Sequence, residues 1–355
     1  MSEPLVSLLV PIYNVESYLR QCLDSARNQT LEDIEVICIN DGSTDSSPDI
    51  IREYMAGDSR FRIIDKANSG YGASMNMGLK AAQGKYIAIL ESDDYFELDA
   101  LEKLYRAAES CDAQVVKANF WMYWSKPEER NEPFSLVTKE MSGRLVNPQI
   151  ETDIFYLKPS IWSALYRRDF LEDNGIRFLE TPGASFQDSS FNFKVWATAN
   201  RAYYMQDEIL HYRQDNESSS VNSPSKVYCV CDEYAEMDRF LADHPEKASL
   251  KAVEEKMKYD TYMWNYERLT EPLRREFVIR FAEEFKRDAE SGFVDLTIFD
   301  PWKKDDLAVL MDDPMLFHAQ RESPIEEGYA KKLVRFYRIG GPALVFRAIW
   351  HKVTR

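Results

Sequence analysis

The stretch AILESDDYFE, Ala88–Glu97, places four carboxylates (Glu91, Asp93, Asp94 and Glu97) within seven residues, directly after an apolar run. Like charges this close repel one another. One reading is a solvated helix start, with Asp93 or Asp94 capping a helix that begins near Leu98 and gaining from its dipole. The other is a lip prepared for a hard cation, since Mg²⁺ and Mn²⁺ take carboxylate and phosphate oxygens. The run that precedes the acids decides the fold, because KYIAIL (Lys85–Leu90) is the fourth segment of its kind.

The other three are VSLLV (Val6–Val10), IEVICIN (Ile34–Asn40) and FRIIDK (Phe61–Lys66). Between them lie helical patterns, from about Val15 to Asn28, near Pro48–Met55 and through Ala82, and a further helix from Leu98 to Ser110 leads into AQVVKAN. Near-continuous apolar strands alternating with helices predict parallel βαβ units and a doubly wound α/β sheet. Such sheets bind ligands beyond the carboxyl ends of their strands, at the topological switch point. Tyr13–Asn14, Asn40–Ser43, Asn68–Gly72 and Glu91–Asp94 each follow a strand directly, so the four are expected to meet at one edge.

The 355 residues suffice for a large core and suggest about two domains. A formal net charge of -16 argues against general affinity for nucleic acid, which needs a basic footprint. Cys22, Cys38, Cys111, Cys229 and Cys231 are odd in number and lack a metal-ligand spacing, and they read as reduced thiols of a cytoplasmic protein. The N-terminus has no basic segment before its short apolar run, and no stretch approaches the ~18 apolar residues of a membrane span.

From Trp121 to Gln149 the periodicity is lost and a loop-rich insertion is expected. Lys158–Ile176 reads as a helix ending at Gly175, and Phe186–Asn200 as another. AYYMQDEILHYRQ reads as two short strands with a turn at Gln206–Glu208, and after the Ser/Asn-rich Asp215–Ser225 everything reads as helical. The expected divisions are 1–224 (in halves 1–118 and 119–224), a helical region 225–327 and a tail 328–355.

VPIYN, NDGSTD, NSGYGASMNMGL and LESDDY, in this order and at these separations, resemble the N-terminal half of inverting family 2 glycosyltransferases of the bacterial surface-polysaccharide type. The resemblance covers Val6 to Ala108 and continues more weakly through WSALYRRDF, FQDSSF and YRQDNESSS, while residues 226–355 carry no matching motif. It implies a GT-A fold: a Rossmann-like mixed sheet with helices on both faces, here with a helical C-terminal region.

It also implies roles. Pro11, Tyr13 and Asn14 would lie along the nucleoside, Asp41 would accept from N3–H of a uracil, and Gly42 and Ser43 would shape that pocket. Asn68 and Gly70 would pass beside the nucleotide, with Asn76 supporting their loop. Glu91-Ser92-Asp93 would be the family's DxD element, with Asp93 the direct ligand of Mn²⁺ or Mg²⁺ and Asp94 a second candidate. Arg213 and Ser219 would contact the pyrophosphate, and Asp188 would be the general base of an inverting transfer. Two departures stand out: Glu91 replaces the usual first Asp, and Met75 stands where many members carry Arg. Asp188 alone could equally be a helix cap, and His211 and Trp162 read as packing residues before ligand or sugar contacts.

Together these imply transfer of a hexose from a UDP-sugar to a carbohydrate or lipid-linked glycan acceptor. The alternatives are a nucleotidyltransferase, which would want a Gly-rich basic loop where Pro11–Asn14 stands, or a non-catalytic nucleotide- or sugar-binding module. The tail from Gly328 to Arg355 has seven basic residues and no acid among aromatic and aliphatic ones. It suits either the anionic inner face of the cell membrane, as a peripheral contact, or packing on protein.

Overall fold

A computed structural model of the chain describes residues 3–216 and 226–322, with 333, 334, 336, 337, 341–346 and 349 of the tail. Ser219 and most of the basic tail therefore lie outside the described residues. The chain divides into two compact units, one formed by Met1–Asn222 with Ala235–Phe240, the other by Ser223–Tyr234 with Leu241–Arg355.

The first unit opens with β1 (Val6–Ile12), α1 (Glu16–Arg27), β2 (Ile34–Asp41), α2 (Ser47–Gly57), β3 (Phe61–Lys66), α3 (Tyr71–Ala81) and β4 (Tyr86–Ile89). β1 pairs in parallel with both β2 and β4, and β2 with β3. Every residue of β1 and β4 is buried, which is what a parallel strand covered on both faces requires and why these runs read as continuous apolar sequence. α1 turns Leu19, Cys22, Leu23 and Ala26 inward at helical spacing. The chain steps outward from β1 to β3 and then returns to β4 on the other side of β1. The crevice beyond the carboxyl end of β1 is thus a topological switch point.

β5 (Tyr95–Phe96), α4 (Ala100–Cys111), β6 (Val115–Trp124), β7 (Arg130–Phe134), β8 (Leu145–Val146), β9 (Ala164–Arg167), α5 (Arg168–Asp173), α6 (Gln187–Thr198) and β10 (Ala202–Arg213) complete the unit. The strands form one mixed sheet in the order β3-β2-β1-β4-β9-β6-β10-β5, with β7 on β6 and β8 on β10.

Three expectations are corrected here. Lys158–Ile176 is not one helix. Its middle is β9, wedged antiparallel between β4 and β6 with Ala164, Leu165 and Tyr166 fully buried. A short apolar run buried on both faces has no periodicity to separate it from a helix. Trp121–Gln149 is not loop-rich at its start, since β6 runs to Trp124 and β7 returns along it. β7 is a mostly exposed edge strand held by its ladder to β6, so its side chains RNEPF show no apolar alternation. The polar Gln206–Glu208 is not a turn either; β10 is continuous, and these residues mark a register shift against β6.

The second unit is helical, with α7 (Cys229–Asp243) divided between the units, then α8 (Lys251–Arg268), α9 (Glu271–Glu290), α10 (Pro301–Asp312) and α11 (Pro314–Arg321). Its core is aromatic: Tyr262 packs edge-on against Tyr234 and Phe281, beside a buried ion pair of Lys258 with Asp288 at 2.7 Å. All five cysteines are free. Among the described residues no helix is long and apolar enough to cross a membrane.

Candidate active site

The acidic stretch turns sharply after β4, with Asp94 N–H bonded to the Glu91 carbonyl at 3.0 Å. Its four acids part company. Asp94 is 1 % exposed, and one carboxylate oxygen accepts the Arg213 backbone N–H at 2.8 Å while the other has no partner among the described residues. Burial, and then the Asp93 charge, pushes its carboxyl well above the usual range. Asp93 is only partly buried and accepts from the Asn216 amide at 2.8 Å. Glu91 accepts from the Tyr71 hydroxyl at 2.6 Å. Burial pushes its carboxyl up to about 8, with Asp93 and Asp188 adding to the shift and the Tyr71 hydrogen bond opposing it. The fourth acid, Glu97, faces His211 instead.

Arg213 lies beneath this lip. Its guanidinium donates to the Asp93 carbonyl at 2.8 Å and to Gln21 at 2.6 Å, between the rings of Tyr18 and Tyr123. These bonds hold the buried guanidinium against the backbone of the lip. His211 is held by Asn131 at 2.7 Å and Glu97 at 2.9 Å and stacks on Tyr95, and Trp162 is 7 % exposed against Phe120 and Tyr212. Both are packing residues, as the sequence suggests.

The loops after β1, β2 and β3 interlock. Pro11 is buried on β1 while Tyr13 beyond it is 54 % exposed. Asn14 accepts the Thr44 N–H at 2.8 Å and donates its own N–H to Ser43 at 3.0 Å. Asp41 is buried and holds the Gly-rich loop through the N–H groups of Ser69 (2.8 Å) and Gly70 (3.0 Å), with the Lys66 ammonium against it. Gly42, at φ +72, passes so close to Asn68 that a Cβ would stand 2.8 Å from its backbone nitrogen. Asn68 is exposed and Ser92 half-buried at the same strand ends.

Asp188 enters from the other half of the sheet, as the second residue of α6. It is not the cap: Phe186 holds that position in a left-handed conformation, and the Ser189 N–H bonds to the Phe186 carbonyl at 2.8 Å. Burial pushes its carboxyl up to about 6, and the nearby Lys158 ammonium holds it from rising further. The approach to α6 is braced on the nucleotide side. Tyr71 N–H bonds to the Gly183 carbonyl, Asn76 exchanges hydrogen bonds with the backbone of Phe178, and Phe178 stacks on Phe191 at 4.0 Å. Gln187 bonds back to Thr181 at 2.8 Å, a bracing part in place of a second acid. Asn76 therefore supports the segment leading to Asp188, in addition to its own loop.

The structure brings Asp41, Asn68 and Gly70 together, and sets Glu91 and Asp93 within electrostatic reach of one another and Glu91 within reach of Asp188. It adds residues that the sequence reading missed: Lys66 against Asp41, Tyr71 against Glu91, Lys158 beside Asp188, and Tyr212. Tyr71 and Tyr212 stood inside quoted motifs without a role being read for them, but nothing local marks Lys158. Among the described residues no group of three or more His, Cys, Asp or Glu stands ready to hold a metal ion.

Fold and strand-end loops define an α/β protein of the nucleotide-site kind, with its ligand edge at the switch point. The sequence profile of Glycosyl transferase family 2 matches residues 7–174. GlyG, a glycosyltransferase of Streptococcus pneumoniae serotype 4, is 30% identical over 231 residues, 61% of this chain and 73% of GlyG. EpsJ, an uncharacterized glycosyltransferase of Bacillus subtilis (strain 168), is 36% identical over 234 residues, 63% of this chain and 64% of EpsJ, so the match spans under two thirds of that relative's length. Staphylococcus aureus TarS 1–349 in complex with UDP-GlcNAc superposes with a TM-score of 0.64 at 21% identity, covering 94% of this chain and 90% of that one. The chain belongs to glycosyl transferase family 2, and its fold is of the GT-A type.

Proposed function

We propose that the chain is an inverting hexosyltransferase that moves a sugar from a UDP-sugar to a hydroxyl of a carbohydrate or lipid-linked glycan. The observation that carries this reading is Asp188. Its carboxyl is raised to about 6, so it is ionised at neutral pH yet basic enough to take a proton from an attacking hydroxyl. The acceptor oxygen attacks the anomeric carbon, its proton passes to Asp188, and the bond from that carbon to the diphosphate oxygen breaks with inversion.

On the donor side, Tyr13 offers an exposed ring for the base, and Asp41 orders the Ser69–Gly70 loop whose neighbour Asn68 faces solvent. That TarS binds UDP-GlcNAc favours a uridine donor. Asp93 and Asp94 are hard oxygen donors, and the unpartnered Asp94 oxygen fits a cation, so these two would hold Mn²⁺ or Mg²⁺. When bound, such an ion supplies charge stabilisation to the departing diphosphate.

The test is a thermal-shift screen of nucleotide-sugars with and without Mn²⁺, followed by assay of UDP release. A uridine compound is expected to raise the melting temperature. A shift with guanosine sugars alone would remove Asp41 from the base pocket, and no UDP release with any acceptor would overturn the enzyme reading.

A further inference from the structure

The mechanism above gives Tyr212 no part, although it sits at the centre of the site. It lies on β10 next to Arg213, whose N–H is tied to Asp94, so its backbone is pinned beside the acidic lip. Its ring is caught on both faces. The Trp162 indole stacks on it at 4.7 Å with planes 25° apart. The Lys158 ammonium stands 4.4 Å from the same ring centroid, and with one face filled by the indole it has only the other. Trp162 is itself fixed edge-on by the buried Phe120.

A ring sandwiched in this way cannot serve as a stacking platform for a sugar. What remains free is its hydroxyl end. Tyr212 is only partly buried, and among the described residues its phenolic oxygen makes no hydrogen bond. Burial first, then the carboxylates of Asp94, Asp93, Asp188 and Glu91, push the phenol's ionisation up, so it stays a hydrogen-bond donor.

Its neighbours favour the acceptor side. The nucleotide-side loops follow β1, β2, β3 and β4, one half of the sheet, whereas Tyr212 is on β10 and its neighbour Lys158 lies beside Asp188. We infer that Tyr212 is an acceptor-binding residue, rigidly presented between Trp162 and Lys158, whose O–H donates to a hydroxyl oxygen of the acceptor sugar next to the attacking one. Lys158 is its positioning residue. The inference rests on the transferase reading.

Tyr212→Phe keeps both faces of the ring filled and deletes only the donor. The wild type and this variant are compared for UDP release from UDP-glucose, UDP-galactose and UDP-GlcNAc with Mn²⁺, with and without p-nitrophenyl β-glucoside, β-galactoside or β-N-acetylglucosaminide. For the pair that the wild type uses, kcat/KM for the aryl glycoside should fall about tenfold, while UDP affinity by calorimetry stays within about twofold. An unchanged kcat/KM for the glycoside, or an equal loss of UDP affinity, overturns the inference while leaving the transferase reading intact. A wild type inert with every pair overturns that reading and the inference with it.

Discussion

Replacing Asp188 by Asn separates catalysis from stability, because the structure predicts opposite effects on the two. The side chain is isosteric, and the backbone N–H groups of Asp188 and Ser189 that the carboxylate accepts can bond to the Asn oxygen instead. Loss of a positioned general base costs about 10²–10⁴ in rate. The wild-type rate should follow the ionised fraction of Asp188, falling below an apparent pKa of about 6 and dropping about tenfold between pH 7 and pH 5.

Stability runs the other way. Folding raises this carboxyl from 3.8 to about 6, so the folded chain holds the proton more tightly than the unfolded one. The cost of the buried charge is absent below pH 3.8, grows through the window up to about 6, and is fully present at pH 7. At 1.36 kcal/mol per pH unit this amounts to about 3 kcal/mol. Residual solvent contact, and the Lys158 charge left behind, reduce the expected gain for Asp188→Asn to about 1–2 kcal/mol. Urea denaturation at pH 7 and pH 4.5, alongside UDP release, reads both effects. A variant that turns over at a tenth of the wild-type rate, or is less stable than wild type at pH 7, refutes the assignment of Asp188 as a buried base.

Three other outcomes test the donor side. Gly72→Ala places a Cβ 2.0 Å from the Leu179 carbonyl oxygen, a backbone atom that cannot rotate away, so denaturation should show a loss of about 2 kcal/mol or more. Tyr71→Phe removes the 2.6 Å hydrogen bond to Glu91 and should weaken nucleotide-sugar binding about threefold to tenfold by calorimetry, with the melting temperature little changed. Asp93→Asn should abolish Mn²⁺-dependent stabilisation in a thermal-shift assay, whereas Asp94→Asn, which keeps an oxygen for the Arg213 N–H, should still fold. Equal Mn²⁺ responses from the Asp93 variant and wild type would move the cation elsewhere.

What the sequence disclosed follows from where its information is local. β1, β2 and β4 were readable because a strand buried on both faces is a run of apolar residues whatever its neighbours are, and β3, a partly buried edge strand, through its short Ile63-Ile64 core. The strand-end loops were readable because each opens on a polar residue directly after its apolar run, with Gly beside Asn or Asp after β2 and β3 and acids after β4. β9 was hidden because its antiparallel place between β4 and β6 depends on partners far away in the chain, and nothing in Ala164–Arg167 specifies them. The inward aim of Arg213 was hidden for the same reason, since Gln21 and Asp93 are 192 and 120 residues away along the chain. Lys158 and Tyr212 matter through each other and through Asp188, and no motif spans that distance.

The segment from Phe178 to Gly183 has a consequence for engineering. It closes against Gly70 and Gly72 at backbone distance on one side and leads straight into the helix bearing Asp188 on the other. Transplanting this stretch from a relative with a different acceptor would also re-cut the bed of the nucleotide, so donor use and acceptor choice cannot be exchanged independently there. β7 offers the opposite situation: it is a mostly exposed strand laddered to β6 at the margin of the sheet. Its Glu132 and Pro133 can be varied without touching the loops that follow β1 to β4, provided Asn131, which holds His211, and Phe134, which stacks on Phe120, are left in place.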